Sequence, residues 1–274
     1  MGHNERCAWF TMTAMTNLAI NTKEQFQHLP RAPIVEAVID IRARPTTEFE
    51  EHAIKGQLEA QLGGYQFLDS RREIQIEHEM NLDVDAQPGP IIRDLGWKGL
   101  RFQSDDGKYI AQFNRDGFVF SHLEPYQNWD NLYDEAMRLW LEYRSLAQPA
   151  ENHRVGLRYI NRIQLPPDEL LFENYLSPAP VPPIGLDLPF HGFMHHDTLA
   201  IPGHPYAINV IRTMQPPGGV GVEGLGLILD IDVFTTQGSD LDDALLEQRL
   251  LEMRWLKNKV FFGSITESAR KLFL

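Results

Sequence analysis

The chain passes twice through the same order of predicted elements. Apolar and polar residues alternate over residues 34–42, which predicts a half-buried strand, and a helical stripe of apolar residues follows it. Several short strands and a longer amphipathic helix over residues 128–143 complete this first series. A strand over residues 155–163 opens the second series, which ends in a long helix that carries Leu251 and Trp255. A series repeated at this spacing indicates a duplicated domain rather than a short structural repeat.

Turn signals show how the short strands pair. Asp106-Gly107 and Asp116-Gly117 separate apolar runs, and Asp-Gly favours a tight hairpin because both residues tolerate positive φ. The sequence therefore predicts an α+β fold in which two β-α-β(n)-α halves, residues 29–152 and 153–274, form one domain. The halves share a large antiparallel sheet with long helices on one face, an outline like that of the TATA-box-binding protein or of a helix-grip fold. Residues 1–28 show no period and are predicted to form a loosely attached or disordered tail.

A few polar residues and one glycine predict where the helices begin and end. Thr47 and Glu50 have the spacing of a capping box at the start of the first helix. Asn128 precedes the second helix as its N-cap. Gly263 is expected to end the last long helix, and Ser264 to cap a short terminal helix.

Composition excludes several classes of function. The chain of 274 residues carries 25 Lys and Arg against 38 Asp and Glu, a net charge of −13. Such a chain gains nothing from phosphate attraction, which argues against general binding of nucleic acid or of anionic membranes. No apolar run approaches the roughly 20 residues of a membrane helix, and the N-terminus lacks the pattern of a secretory signal. Because Cys7 is the single cysteine, no intrachain disulfide can form, and we expect a cytoplasmic protein.

The strand alternation places charged residues on the sheet face opposite the apolar one. Arginine can hold a carboxylate or a phosphate through two hydrogen bonds, so this face is a candidate surface for a ligand or a partner. The alternative is a solvated face on which neighbouring strands form ion pairs. The candidate binding residues on these strands are Glu36, Asp40, Arg42, Arg158, Asn161, Arg162, Asp230 and Asp232.

The connection between a strand and the second helix carries two large aromatic residues. Tyr126 and Trp129 stand in the segment Glu124-Pro125-Tyr126-Gln127-Asn128-Trp129. Side chains on such connections commonly line binding sites. They are equally typical of a structural plug between sheet and helix, and the sequence leaves both interpretations open.

No familiar catalytic arrangement is visible in the sequence. A histidine-rich stretch contains His191, His195, His196, Asp197 and His204. Adjacent residues on a strand point to opposite faces, so His195 and His196 do not suit one metal ion. There is no Gly-x-Ser-x-Gly motif, and the single cysteine lies in the predicted tail. We therefore expect neither a metal nor a cofactor, and the sequence leaves enzymatic activity open.

Four segments of the chain together resemble a known family. They are Ala32-Pro33-Ile34-Val35-Glu36, Phe118-Val119-Phe120-Ser121-His122-Leu123-Glu124-Pro125-Tyr126-Gln127-Asn128-Trp129, Gly156-Leu157-Arg158-Tyr159-Ile160-Asn161-Arg162 and Phe261-Phe262-Gly263-Ser264-Ile265-Thr266-Glu267. This combination is similar to that of a sporadically distributed family of uncharacterised bacterial proteins of about this length. The resemblance spans residues 30–274. It implies no activity, cofactor or catalytic residue, because none is established for that family.

The sequence favours a binding protein as its leading interpretation. We expect a cytoplasmic interaction module whose polar sheet face binds an unidentified protein or small molecule, with a homodimer as one arrangement. The alternative is an enzyme or a small-molecule sensor that binds a nucleotide-like, carboxylate or phosphate ligand between the halves. For the enzyme, the sequence predicts a deep pocket and a carboxylate whose pKa is shifted.

Overall fold

The chain builds a broad β-sheet and a layer of helices. The computed structural model describes residues 16–77, 91–165, 171–183, 185, 188–215 and 224–274. The strands are β1 (Ile34–Arg42), β2 (Tyr65–Glu77), β3 (Ile91–Ser104), β4 (Tyr109–Asn114), β5 (Gly117–Leu123), β6 (Glu151–Asn152), β7 (Arg154–Gln164), β8 (Met194–Ala200), β9 (Tyr206–Gln215), β10 (Gly226–Thr235) and β11 (Ser239–Asp240). The helices are α1 (Glu51–Gln61), α2 (Trp129–Ala147), α3 (Asp243–Ser264) and α4 (Glu267–Lys271), and a single 3-10 turn covers Phe172–Asn174.

Within the described part of the chain, nine strands form one sheet in the order β2-β3-β4-β5-β1-β7-β10-β9-β8. Every neighbouring pair is antiparallel. This arrangement confirms the predicted α+β class and the large antiparallel sheet. The first strands of the two predicted halves, β1 and β7, lie side by side, with Ala37 opposite Tyr159. From this central pair, β5, β4, β3 and β2 follow on one side, and β10, β9 and β8 follow on the other.

Alternation along the strands divides the sheet into a covered face and an open face. Ala37, Ile39 and Ile41 of β1 are fully buried on the covered face. Phe120 of β5 and Leu157 of β7 both lie opposite Ile39 and are also fully buried. The intervening residues of the central strands point to the open face, so β1 and β7 each contribute one apolar row and one row that carries most of their charged residues.

The helices bury their apolar stripes on the covered face. α2 packs against β5, and the rings of Trp140 and Tyr143 both lie 6.3 Å from the ring of Phe118. The buried Tyr143 hydroxyl donates hydrogen bonds to the carbonyl oxygens of Ala43 and Asn114, at 2.7 and 3.1 Å. α3 packs against β7 and β10. Among the described helices, none is both long and apolar enough to cross a membrane. Sheet and helices thus share one hydrophobic core.

Both predicted Asp-Gly hairpins are confirmed. The loop that contains Asp106-Gly107 joins β3 to β4, and Gly107 has a φ of 73°. Arg115 and Asp116 join β4 to β5, and Gly117, the first residue of β5, has a φ of 147°. Glycine tolerates these dihedral angles because it has no Cβ, which is why the turns fall where the sequence places them.

The helix ends agree with the sequence at one position and differ at others. Asn128 is the N-cap of α2, because its Oδ1 accepts a hydrogen bond from the Asn131 N–H at 2.8 Å. The capping box at Thr47 is wrong: α1 begins at Glu51, and the Thr47 hydroxyl donates to the carbonyl of Leu146 in α2 at 2.7 Å. The predicted ends near Ser264 are also wrong. α3 passes through the glycine expected to end it, and a threonine two residues after Ser264 caps α4.

The N-terminal segment, residues 16–33, makes specific contacts with α3. Glu24 accepts a hydrogen bond from the Trp255 indole N–H at 2.7 Å. The ring of Phe26 stacks on that of Phe262, with 5.6 Å between centroids. The later part of the predicted tail is therefore attached to the helix layer, and its earlier part lies outside the described residues.

Candidate functional site

The open face carries a ladder of ion pairs across its central strands. Arg158 of β7 donates two hydrogen bonds to Asp230 of β10, at 2.8 and 2.5 Å. Arg154 bridges Asp40 of β1 at 2.8 Å and Asp232 of β10 at 2.9 Å. Two further sets are Arg42 with Asp40 and Asp116, and Arg162 with Glu124. Each of these arginines therefore already has a carboxylate partner within the chain.

Because Gly156 has no side chain, the guanidinium of Arg154 can lie over it. A Cβ at Gly156 would lie 2.8 Å from the guanidinium of Arg154. The same guanidinium lies 4.7 Å from the centre of the Phe234 ring. Glu36 lies on the same face, opposite Ile160 of β7. The central strands thus fit the alternative of cross-strand pairing, in which charges neutralise one another at close range.

Burial gives two carboxyl groups of this ladder an unusual pKa. Desolvation raises the pKa of both Asp40 and Asp232 above the ordinary value of 3.8, although neighbouring arginines oppose the shift. Between the ordinary and the raised pKa, the folded chain binds more protons than the unfolded chain. The contribution of these two groups to the free energy of unfolding therefore falls as the pH rises through that window.

We expect an NMR titration of the carboxyl carbons to show this difference directly. The midpoints of Asp40 and Asp232 should lie above that of Asp94. Asp94 is an exposed carboxyl group and serves as the control within the same chain. Hydrogen bonds from the Gly96 backbone N–H and from Arg72 lower its pKa. Midpoints in the reverse order would contradict the desolvation of the ladder.

Three of the predicted residues lie on the other side of the sheet. Asn161 points to the covered face, where its side-chain amide donates to the carbonyl oxygen of Leu229 at 2.9 Å. Together with Tyr126 and Trp129, it lines a pocket of about 330 Å³. The structure therefore separates Asn161 from the charged residues of its own strand and joins it to the aromatic pair of the connection before α2.

This pocket lies where both predicted halves and the N-terminal segment meet. Its walls come from residues 22–34, from the connection into α2, from β7 and from the last turns of α3. Aromatic side chains supply much of the lining: Phe26, Tyr126, Trp129, Tyr159, Trp255, Phe261 and Phe262. Each of the four segments that carry the family resemblance contributes to these walls.

Lys257 lies in this pocket without an acidic partner among the described residues. Its Nζ is 3.8 Å from the centre of the Tyr159 ring. Burial, reinforced by the nearby guanidinium of Arg254, lowers the pKa of the half-buried lysine from 10.5 to about 7. At neutral pH, Lys257 therefore exists as a mixture of ammonium and neutral amine.

Arg254 stands one turn before Lys257 on α3 and lines the same pocket. Its guanidinium lies 5.1 Å from the centre of the Trp129 ring, and within the described residues no ion pair joins it to a carboxylate. The acid on the pocket wall, Glu24, is engaged elsewhere: Lys259 and Trp255 both donate to it, and the hydrogen bond from Lys259 lowers its pKa. The pocket consequently holds the Arg254 guanidinium and the partly protonated Lys257 amine, and among the described residues neither forms an ion pair with a carboxylate.

Two tyrosines form a polar floor beside these cations. The hydroxyl oxygens of Tyr126 and Tyr159 are 3.1 Å apart. Burial raises the pKa of Tyr126 to about 12 and raises that of Tyr159 as well, so both hydroxyls stay protonated at neutral pH. Beyond Tyr126 lies His122, which is fully buried. Neither of its ring nitrogens has a hydrogen-bond partner in the described part of the chain, and burial lowers its pKa.

The side chains of the histidine-rich stretch do not come together at one point. His195 and His196 are successive residues of β8, paired with Arg212 and Ile211 of β9, so their side chains point to opposite faces. Among the described residues, no group of three or more His, Cys, Asp and Glu is arranged to hold a metal ion.

Sequence reasoning missed Lys257 and Arg254, although the sequence carries a signal for the first. The buried residues of α3 are Leu246, Leu250, Met253, Trp255, Leu256 and Phe261. Lys257 follows Met253 by four residues and precedes Phe261 by four, so it occupies a position of the apolar stripe. A lysine at such a position is a candidate for a perturbed pKa.

Comparisons of the chain with models of protein families, with curated proteins and with solved structures find no match. The resemblance to the bacterial family stays a prediction.

Proposed function

We propose that this chain is a binding protein for a small organic anion, held in the pocket between the two halves. The observation that carries the proposal is the pair of cations, Lys257 and Arg254, that face the pocket with no acidic partner among the described residues. In a chain with a net charge of −13, acids outnumber bases, yet neither of these cations is matched by one. A carboxylate or phosphate group of a ligand would supply the missing charge.

The shape and lining of the pocket support a small ligand with an apolar part. Its volume of about 330 Å³ falls at the lower end of the range for small-molecule sites. The rings of Trp129 and Trp255 offer apolar surface, and the side chains of Asn161 and Tyr126 place polar atoms on the wall. The polar part of the lining is slightly larger than the apolar part, which suits a ligand that carries polar groups beside its apolar part.

Replacing Lys257 or Arg254 by methionine should weaken anion binding by about tenfold or more each, because a hydrogen-bonded charge pair is lost. The probes are inorganic phosphate and lactate, and binding is followed by calorimetry and by NMR shifts of the Trp129 and Trp255 indole protons. The matched control is Lys55→Met. Lys55 also lies 3.8 Å from a ring centre, that of a phenylalanine, but it is on the surface of α1 and pairs with a glutamate one turn later.

A clear result contradicts the proposal. If neither probe binds, or if binding is as strong in Lys257→Met and Arg254→Met as in Lys55→Met, the cations are not a recognition site. Shifts confined to indoles outside the pocket, such as Trp97 and Trp140, would lead to the same conclusion.

The open face supports a partner-binding function less well. Its arginines, including Arg158 and Arg162, form hydrogen bonds to carboxylates of the same chain. A partner that used these guanidinium groups would have to displace existing ion pairs, so the net free energy of binding would be small. An interaction module built on this face therefore remains a second proposal behind the pocket.

We also propose that the two halves arose by duplication. The support is the order of the strands. Each half contributes its first strand to the central β1–β7 pair, its last strand lies next to that pair, and its earlier strands lie farther out. Each half also has a long helix after its strands, on the same face of the sheet. This is the outline that suggested the TATA-box-binding protein fold, and it carries no inference about DNA. Superposition of β1 to α2 on β7 to α3 tests the proposal, since helices that cross the sheet in unrelated directions would contradict it.

A further inference from the structure

We propose that the Lys257 amine captures a carbonyl group, forming an imine with a small oxo acid bound in the pocket. The inference rests on the pocket proposed above and adds a chemical class of ligand: a molecule that carries both an anionic group and an aldehyde or ketone. Arg254 then holds the anionic group, and Lys257 reacts with the carbonyl carbon.

The surroundings of Lys257 favour the neutral amine. The side chain is desolvated, a second cation stands one turn away, and among the described residues no carboxylate pairs with the ammonium. The contact with the face of Tyr159, 3.8 Å from the ring centre, acts in the opposite direction, because an aromatic face attracts a cation. Desolvation and a neighbouring positive charge are the two ways in which proteins make a lysine nucleophilic at neutral pH. The pKa of about 7 agrees with this geometry.

Lys259 shows what the same helix does with an ordinary lysine. Its Nζ donates to Glu24 at 3.0 Å, so this lysine has a carboxylate partner. Lys55 on α1 is likewise near a carboxylate, that of Glu59 at 3.9 Å. Lys257 differs from both in facing a cavity large enough for a small molecule.

The proposed reaction is a condensation. The lone pair of Lys257 Nζ adds to the carbonyl carbon, and the electrons of the C=O π bond move to its oxygen. A proton passes from nitrogen to that oxygen to give a carbinolamine. The C–O bond then breaks, water leaves with a further proton, and the nitrogen lone pair forms the C=N bond. No electrons are gained or lost overall, so the step needs no oxidant or reductant.

The tyrosine pair supplies a suitable proton donor for the departing oxygen. Both hydroxyls remain protonated at neutral pH, and both tyrosines line the pocket. The Tyr126 hydroxyl lies 3.1 Å from that of Tyr159, so a proton given up by one is shared with the other. Tyrosine is among the side chains that act as general acids, and these two are the tyrosines that line the pocket with Lys257.

The experiment traps the imine in the full-length protein. Pyruvate is the probe, sodium borohydride reduces the C=N bond, and peptide mass spectrometry locates the adduct, whose mass is that of pyruvate less water plus two hydrogens. We expect modification at Lys257 to exceed that at Lys55 by about tenfold or more, because Lys257 has the larger neutral fraction. Lys257→Met should abolish the adduct in the pocket and leave that at Lys55 unchanged. Arg254→Met should reduce trapping of pyruvate by a larger factor than trapping of acetone. The variant removes one cause of the lowered Lys257 pKa for both probes, but only pyruvate also loses the partner of its carboxylate.

Lactate separates this inference from the proposed function, because it carries the carboxylate of pyruvate without the carbonyl. If lactate and phosphate bind at the pocket but pyruvate labels Lys257 no more than Lys55, imine formation is wrong and anion binding stands. If Lys257 is labelled preferentially although no anion binds, the reactive amine stands and the anionic class of ligand is overturned. Preferential labelling that lactate suppresses supports both.

Discussion

Replacing Lys257 by methionine is expected to raise the free energy of unfolding by about 2 kcal/mol at pH 7, although it removes the side chain on which the proposed site depends. Desolvation of the Lys257 ammonium ion destabilises the folded state, and the same desolvation lowers the pKa of Lys257 from 10.5 to about 7. At about 1.4 kcal/mol per pH unit, this shift sets an upper bound near 5 kcal/mol. The half-buried side chain retains part of its hydration, so we expect less than half of that bound. Methionine has no charge to desolvate and can pack on the Tyr159 ring, but it loses the attraction between the ammonium and the ring, which also keeps the expected gain below the bound.

The pH dependence gives this prediction its sign. Between pH 7 and the ordinary lysine pKa of 10.5, the unfolded chain binds more protons at Lys257 than the folded chain. The free energy of unfolding of the native sequence therefore rises with pH through this window, and that of Lys257→Met lacks this contribution. The charged and titratable groups that line the pocket with Lys257 are Glu24, His28, Tyr126, Tyr159 and Arg254, and they are present in both proteins.

Urea denaturation at pH 6.5 and at pH 9 tests the expectation, with Lys55→Met as control. The gain from Lys257→Met should be largest at the lower pH and shrink at the higher, and the control should stay within about 0.5 kcal/mol of the native protein at both. A loss of stability in Lys257→Met at pH 6.5 would show that the lysine stabilises the fold, and the proposed cost of desolvating its charge would be wrong.

The strands could be predicted because burial on one face leaves a direct trace in the sequence. Residues 34–42 alternate cleanly, and β1 has these same bounds. The hairpin at Gly117 could be predicted because the dihedral angles of a tight turn restrict the residue types that fit it. The order of the strands in the sheet depends on pairing between distant segments, such as Ala37 with Tyr159, and the sequence did not predict it. The prediction went no further than one broad antiparallel sheet shared by two halves.

Helix ends were harder because tertiary contacts compete for the same side chains. Thr47 has the right spacing for a capping box, yet its hydroxyl bonds to the end of α2, which the local sequence does not reveal. Gly263 was expected to end α3, but the helix continues through it to Ser264. In both places a local signal was overruled by packing between segments far apart in the chain.

The candidate site shows the same division. Charged residues on alternating strands were easy to find, but the sequence could not tell whether Arg158 would meet a ligand or Asp230, because that depends on strand register. A pocket between the halves was predicted only for the alternative function, and most of its lining was missed. Its walls come together only in the fold, and its N-terminal wall comes from a segment predicted to be loose. Lys257 itself was visible as a break in an apolar stripe, and reading polar residues at core positions would have found it.

Replacing Gly117 by alanine should lower the free energy of unfolding by about 3 kcal/mol or more. Gly117 opens β5 with a φ of 147°, a region that residues with a Cβ rarely adopt. A Cβ there would lie 2.2 Å from the carbonyl oxygen of Ile41 and 2.8 Å from the Cα of Arg42. Both atoms belong to the backbone of β1, which pairs with β5 on one side and β7 on the other, so no side-chain rotation relieves the clash.

A second glycine makes the comparison sharp. Gly56 lies on the exposed side of α1, and a Cβ there would meet no atom within 4 Å. Gly56→Ala should therefore stabilise the protein by up to about 1 kcal/mol, because alanine loses less conformational entropy in a helix. The melting temperatures and the urea midpoints of the two variants should shift in opposite directions relative to those of the native protein. If Gly117→Ala unfolds within about 0.5 kcal/mol of the native protein, β1 and β5 do not approach each other as closely as the register of Arg42 with Gly117 requires.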